Sequence, residues 1–179
     1  PDSDDDVVID PLTEVTVTIN SNQAANSISI PNNDHLALTG GSLAITSPST
    51  LSSLLINGGS LNANAQLTLT GTSQIDGDPN LNGLIRNEGT LNIVGGHANL
   101  NGTLDNPGTI IQSGGKLDFF QGTPTLKNSG LYEVTFTGNG DIFGNFSNAE
   151  AFNNSGTFRR NGPQNASTGD IVFNNAACG

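Results

Sequence analysis

Ile85-Arg86-Asn87-Glu88-Gly89-Thr90 decides the fold, because the phrase returns three times. The later copies are Leu104-Asp105-Asn106-Pro107-Gly108-Thr109, Leu126-Lys127-Asn128-Ser129-Gly130-Leu131 and Phe152-Asn153-Asn154-Ser155-Gly156-Thr157. From Asn87 to Asn106, Asn128 and Asn154 the steps are 19, 22 and 26 residues. A second phrase runs in phase with the first. It reads Leu38-Thr39-Gly40-Gly41-Ser42-Leu43, Ile56-Asn57-Gly58-Gly59-Ser60-Leu61, Ile93-Val94-Gly95-Gly96-His97-Ala98 and Gln112-Ser113-Gly114-Gly115-Lys116-Leu117. Its first Gly falls at 40, 58, 95 and 114, so the middle step of 37 spans two periods with one phrase lost. A period near 18.5 residues is that of one solenoid coil.

Between the phrases lie short alternating runs such as Val15-Thr16-Val17-Thr18-Ile19 and Leu67-Thr68-Leu69-Thr70, which give a strand one inward and one outward face. Gly supplies the corner with φ > 0, and Asn tolerates that region. In a stack of coils about 4.8 Å apart, equivalent residues form ladders. Asn87, Asn106, Asn128 and Asn154 are expected to make such a ladder at one corner. The position before them, Arg86, Asp105, Lys127 and Asn153, sets opposite charges on neighbouring coils. The expected fold is all-β: one right-handed parallel β-helix over residues 1–179, of eight or nine coils.

Composition agrees. Met and Trp are absent and 12% of the 179 residues are charged, which excludes an α-bundle built on Ala, Leu, Glu, Lys and Arg. The nine aromatics all lie between Phe119 and Phe173. Residues 1–118 therefore read as slim aliphatic coils and 119–179 as wider coils filled by rings. Thr137–Ala151 reads as an excursion that lengthens one coil. The net charge of −11 leaves no basic stripe for phosphate, so nucleic acid is excluded as a partner. No apolar run is long enough for a membrane helix. The lone Cys178 allows no internal disulfide, and Pro1 is not a translation start, which points to a processed or excised piece.

The run Phe152-Asn153-Asn154-Ser155-Gly156-Thr157-Phe158, followed by Asp170-Ile171-Val172-Phe173-Asn174-Asn175, resembles the Asn-Asn-x-Gly-Thr repeats of large bacterial secreted surface proteins and adhesin-like β-helices. That resemblance implies a parallel β-helix, an extracellular location, and service as a stalk, spacer or binding surface, with a surface glycan or protein as partner. It carries no catalytic residues onto this chain.

Site-like strings are few. Asp76-Gly77-Asp78-Pro79-Asn80 places acceptors Asp76, Asp78 and Asn80 at the spacing that opens a calcium loop. The sixth position is not Gly and the twelfth is Asn87 rather than Glu, so a polar turn is the competing reading. The acidic start Asp2-Ser3-Asp4-Asp5-Asp6 reads as a solvated terminus. β-Helices also carry polysaccharide lyases and hydrolases, whose chemistry needs convergent carboxylates or a carboxylate with a basic partner. Asp105, Lys127 and Glu133 are the residues that could gather across coils. His35 and His97 read as isolated turn residues, and no Ser-His-Asp, Cys-His or metal-ligand spacing is present. Thr16/Thr18 and Thr68/Thr70 are too few for an ice-binding Thr face. No cofactor is expected unless calcium binds. The reading is a non-catalytic extracellular structural or adhesive segment; the alternatives are a fibre subunit stacking end to end through open coils, and a β-helix lyase or hydrolase.

Overall fold

Thr90-Leu91-Asn92-Ile93 shows how one strand is made: Leu91 and Ile93 point inward and are buried, while Thr90 and Asn92 face out. Gly corners end many of these runs. In the computed structural model, which describes residues 1–136, 140–145, 150–161, 166–168 and 171–176, these short strands stack in parallel with no helix among the described residues. Nor, therefore, is there a helix among them long and apolar enough to cross a membrane. Each coil contributes to three columns. One is an eight-stranded sheet that begins at Thr16–Ile19 and ends at Thr157–Arg160. A second holds Gln23–Ala25, Ser42–Ile45, His97–Leu100, Lys116–Phe119 and Phe143–Asn145. The third holds Asp6–Val8, Ser27–Ile30, Ser49–Leu51, Thr103–Asn106, Thr125–Asn128, Ala151–Asn154 and Val172–Asn175. In two coils the second and third columns join as the long strands Ser60–Leu69 and Asn80–Asn87, with a register shift between Gly83 and Leu84. The result is a parallel β-solenoid of about eight coils around one apolar core.

Register gives the coil lengths directly. Thr72 pairs with Thr90, Thr90 with Thr109, Thr109 with Leu131 and Leu131 with Thr157, steps of 18, 19, 22 and 26. The first lengthening enters between Phe119 and Thr125, where the coil below needs only Leu100 to Thr103. The second enters between Val134 and Phe143. Only part of the expected Thr137–Ala151 excursion, residues 140–145, 150 and 151, can be described; 137–139 and 146–149 lie outside the described residues, as does Cys178.

The Asn ladder forms, and its side chains face inward. Asn87, Asn106 and Asn128 are buried, and among the described residues none but Gly has positive φ. Each of these Asn side chains joins its coil to the next. Asn87 Nδ2 donates to Asn106 Oδ1 at 2.7 Å and to the Thr109 carbonyl at 2.9 Å. Asn106 repeats this with Asn128 Oδ1 (2.6 Å) and Leu131 O (3.0 Å), and Asn128 with Asn154 Oδ1 (2.7 Å) and Thr157 O (3.1 Å). Meanwhile the main-chain carbonyls of Asn87, Asn106 and Asn128 accept the N–H of Gly108, Gly130 and Gly156. Those glycines are not there for φ. A Cβ on Gly108 would sit 2.3 Å from the Gly89 carbonyl oxygen, and one on Gly130 2.0 Å from that of Gly108. The glycines of the other phrase do serve conformation: Gly41, Gly59, Gly96 and Gly115 all have φ between 63° and 76°.

At its lower end the ladder meets Leu69, which pairs with Asn87, and Asn87 Oδ1 is buried without a partner. Removing Asn87 therefore only moves the orphaned acceptor up one coil. Removing Asn128 orphans Asn154 Oδ1 and also strips an acceptor from Asn106. Asn128→Leu is expected to cost about 2–4 kcal/mol, and Asn87→Leu at least ~1 kcal/mol less. Chemical denaturation of the two variants measures the difference.

The C-terminal coils are filled by rings. Phe152 lies 4.6 Å from Phe173 and 5.4 Å from Phe158, centroid to centroid, and Tyr132 lies 5.6 Å from Phe143. Tyr132 is fully buried and donates its hydroxyl to Gln112 Oε1 at 2.8 Å. Gln112 in turn donates to the carbonyls of Gly115 and Ile142. Burial pushes the Tyr132 phenol well above its ordinary value. The folded chain thus holds this proton where the unfolded chain has lost it, so stability falls as pH rises past the ordinary tyrosine value of about 10. Tyr132 is the one tyrosine and there is no Trp. Alkaline titration is therefore expected to show phenolate absorbance only in step with loss of the β signal; ionisation with the fold intact would refute the buried assignment.

Candidate functional site

The outward side chains are set by the same stacking, so each cluster below runs across coils rather than along the chain. The Asp76–Asn80 string supplies the phrase that the sequence counted as lost. Gly77 has φ of 88° and stacks between Asn57 and Gly96, where a Gly77 Cβ would fall 2.4 Å from the Asn57 carbonyl oxygen and a Gly96 Cβ 1.9 Å from that of Gly77. Asp76 and Asp78 flank that corner. Asp78 Oδ1 accepts the His97 N–H at 2.7 Å. Asn80 opens the next strand, where its amide lies 3.4 Å from Ser60 Oγ and its Oδ1 3.3 Å from Asn99 Nδ2. Neighbouring coils thus engage two of the three calcium candidates. Among the described residues no group of three or more His, Cys, Asp or Glu side chains is placed to hold a metal.

Neither histidine is isolated, contrary to the sequence reading. His35 Nδ1 lies 2.6 Å from Ser53 Oγ, and its Nε2 lies 3.2 Å from Glu14 Oε1. The three residues are 21 and 18 apart, one coil each, and only the coil period could have found them. Glu–His–Ser is a hydrogen-bond chain of the kind that activates a nucleophile. Here Ser53 is only 4% exposed, so its hydroxyl is not presented to a substrate, and the chain ties the segment around Glu14 to the coils above. His97 Nδ1 lies 3.1 Å from Asp118 Oδ2; Asp118 is buried and its other oxygen has no partner.

The charge ladder keeps its register. Arg86 pairs with Asp105, Asp105 with Lys127 and Lys127 with Asn153. Arg86 bonds both Asp105 and Glu88, which raises its pKa further, the Glu88 hydrogen bond acting most strongly. Glu133 does not join Asp105 and Lys127. It lies in the first column and accepts two hydrogen bonds at 3.1 Å from Arg159, which hold its carboxyl below the usual range. The trio that an enzyme reading needed is thereby split between two faces. An open groove of about 590 Å³ does border Asp105 and Lys127, and Asn153, Asn154 and Asn174 line much of the rest.

The second column carries a feature the sequence reading missed. Asn82 Nδ2 donates to Asn62 Oδ1 at 2.7 Å, and Asn101 Nδ2 to Asn82 Oδ1 at 2.8 Å. Beside them stand Ser60, Asn80 and Asn99, one in each of the same coils. Two outward columns of neutral side chains thus lie in register across three coils. The spacing Asn80-x-Asn82 and Asn99-x-Asn101 was visible, but which strands were neighbours was not.

Comparison with family models, curated proteins and solved structures finds no match for the chain.

Because Asp78 and Asn80 already serve neighbouring coils, calcium at millimolar concentration is expected to leave Tm unchanged, as is EDTA. A calcium-dependent rise in Tm that disappears in Asp78→Asn would restore the metal site.

Proposed function

We propose that the chain is a non-catalytic extracellular segment of a bacterial surface protein, a stiff stack of coils that spaces or presents other parts and offers its outer faces for adhesion. The observation that carries this reading is the use made of the repeat. The Asn and Gly residues that define it bond and pack one coil onto the next, so the repeated chemistry is structural. The bacterial surface assignment rests on the resemblance to Asn-Asn-x-Gly-Thr repeats and on a composition with little charge and much Asn, Thr, Ser and Gly.

The fibre alternative is the weaker one, on a specific count. Ile9 N–H bonds Ser29 O, which puts Ile9 in the column that later holds Asn87 and Asn175. A second copy stacked in register would set Ile9 against the Asn175 amide. It would also set an aliphatic end, with Val7, Val17 and Ile28 around a cavity of about 400 Å³, against an end filled by Phe158 and Phe173. Polar against apolar and narrow against wide make a poor joint.

Sedimentation velocity is therefore expected to give a single species whose size does not change with concentration. Incubation with soluble polysaccharides is expected to release no reducing ends. Filaments or concentration-dependent growth would favour the fibre, and released sugar ends the lyase or hydrolase.

A further inference from the structure

We propose that the outward face of the second column, centred on Ser60, Asn62, Asn80, Asn82, Asn99 and Asn101, binds a neutral, extended β-linked polysaccharide. This rests on the extracellular reading above and names the partner class for one face.

The argument begins with what the fold leaves free. Outward positions are not fixed by packing, and the other columns use that freedom. The third column sets Thr68, Arg86 and Asp105 on successive coils, and the first sets Gln74, Asn92 and Ile111. Across the same coils the second column sets five carboxamides and one hydroxyl, with His97 outward beside Asn99. An exposed ladder stabilises a sheet by only a few tenths of a kcal/mol per pair, so stacking alone gives little reason for six such residues on one face.

The geometry then selects the ligand. Neighbouring coils lie roughly 4.8 Å apart, and residues two apart on a strand about 6.6 Å. The six side chains form a regular net with hydrogen-bonding groups at each node. Every amide has two N–H donors and an acceptor with two lone pairs. At Asn82 the bonds along the column use one donor and one acceptor site, leaving the rest for a ligand, whereas Asn101 offers only its amide hydrogens because its oxygen is buried. Those same bonds hold the amides in place before binding, which lowers the entropy cost. A sugar hydroxyl both donates and accepts, so it matches an amide, whereas a carboxylate or sulfate only accepts. The chain's charge of −11 further disfavours an anionic glycan. A net with the same spacing across three coils fits an extended chain of sugars better than a compact or coiled glycan.

The test is co-sedimentation of the whole chain with insoluble chitin and insoluble β-glucan, against alginate gel as the acidic counterpart. Retention is expected on at least one neutral polymer, absent on alginate, and unchanged by added salt. Asn82→Asp, which puts a charge in the middle of the net, is expected to lower retention about tenfold, the equivalent of one or two hydrogen bonds. Thr68→Asp, in the third column, is expected to leave it unchanged. The Tyr132 ultraviolet signal and Tm report folding in each variant; if Asn82→Asp does not fold, Asn62→Thr combined with Asn99→Thr removes two amides instead. No retention on either neutral polymer, full retention by the charged variant, or equal loss in Thr68→Asp would overturn the proposal. Adsorption to ice without retention on polysaccharide would overturn it too, assigning the face to a water lattice. Any of these failures leaves the structural reading standing, since that is decided by sedimentation and the absence of released sugar.

Discussion

A close approach of backbone to backbone, at the Asn-x-Gly corner, is the constraint on which the rest depends. Gly71, Gly89, Gly108, Gly130 and Gly156 stack so tightly that a Cβ on any of the last four would fall 2.0–2.3 Å from the carbonyl oxygen below. Only Gly fits there, and the contact fixes where the neighbouring coil must lie. Asn, two residues earlier, then secures that position with its main-chain carbonyl and both hydrogens of its amide. Buried amides without partners would each cost about 1–3 kcal/mol. The core can therefore hold these polar groups only because every coil places the next one correctly.

This explains how insertions are absorbed. Coils of 22 and 26 residues keep the same Asn and Gly alignment as those of 18 and 19, because the additional residues enter at the other two corners. The enlarged section is then filled by Phe119, Tyr132, Phe143, Phe152 and Phe158, and a buried Tyr–Gln bond closes its polar gap. The aromatic boundary in the sequence thus marks a change in coil circumference, with the stacking chemistry left untouched.

Much of the architecture was legible because a repeat writes the same contact several times. The coil period, the lengthening steps and the places of Asn87, Asn106, Asn128 and Asn154 in the Asn ladder all followed from spacing. Three things did not. The ladder's inward direction went unread, although each Asn lies two residues past the buried Ile85, Leu104, Leu126 or Phe152 and so on the same face of its strand. Asp76-Gly77 went unrecognised as a Gly-Gly phrase because only the second Gly needs positive φ, and Asp replaced the first. The Glu14–His35–Ser53 chain and the Asn-x-Asn net join residues about a coil apart. Such contacts are visible only once the register of each pair of strands is known. The outer faces consequently told less than the core did.

The inner ladder also has a direction. Each amide points its nitrogen toward the C-terminal coils, and the main-chain carbonyls of Thr109, Leu131 and Thr157 hold it that way. The outer ladder runs oppositely, with Asn82 and Asn101 pointing their nitrogens toward the N-terminal coils. Amide dipoles aligned head to tail add, as they do along a helix. From Asn87 to Asn175 the interior therefore carries a fixed polarisation, negative at the orphaned Asn87 oxygen and positive at the Asn175 amide. The shorter outer ladder opposes it only where the two overlap, and no described carbonyl anchors those amides. The solenoid is thus an electrically oriented object whose inner field is locked by the backbone.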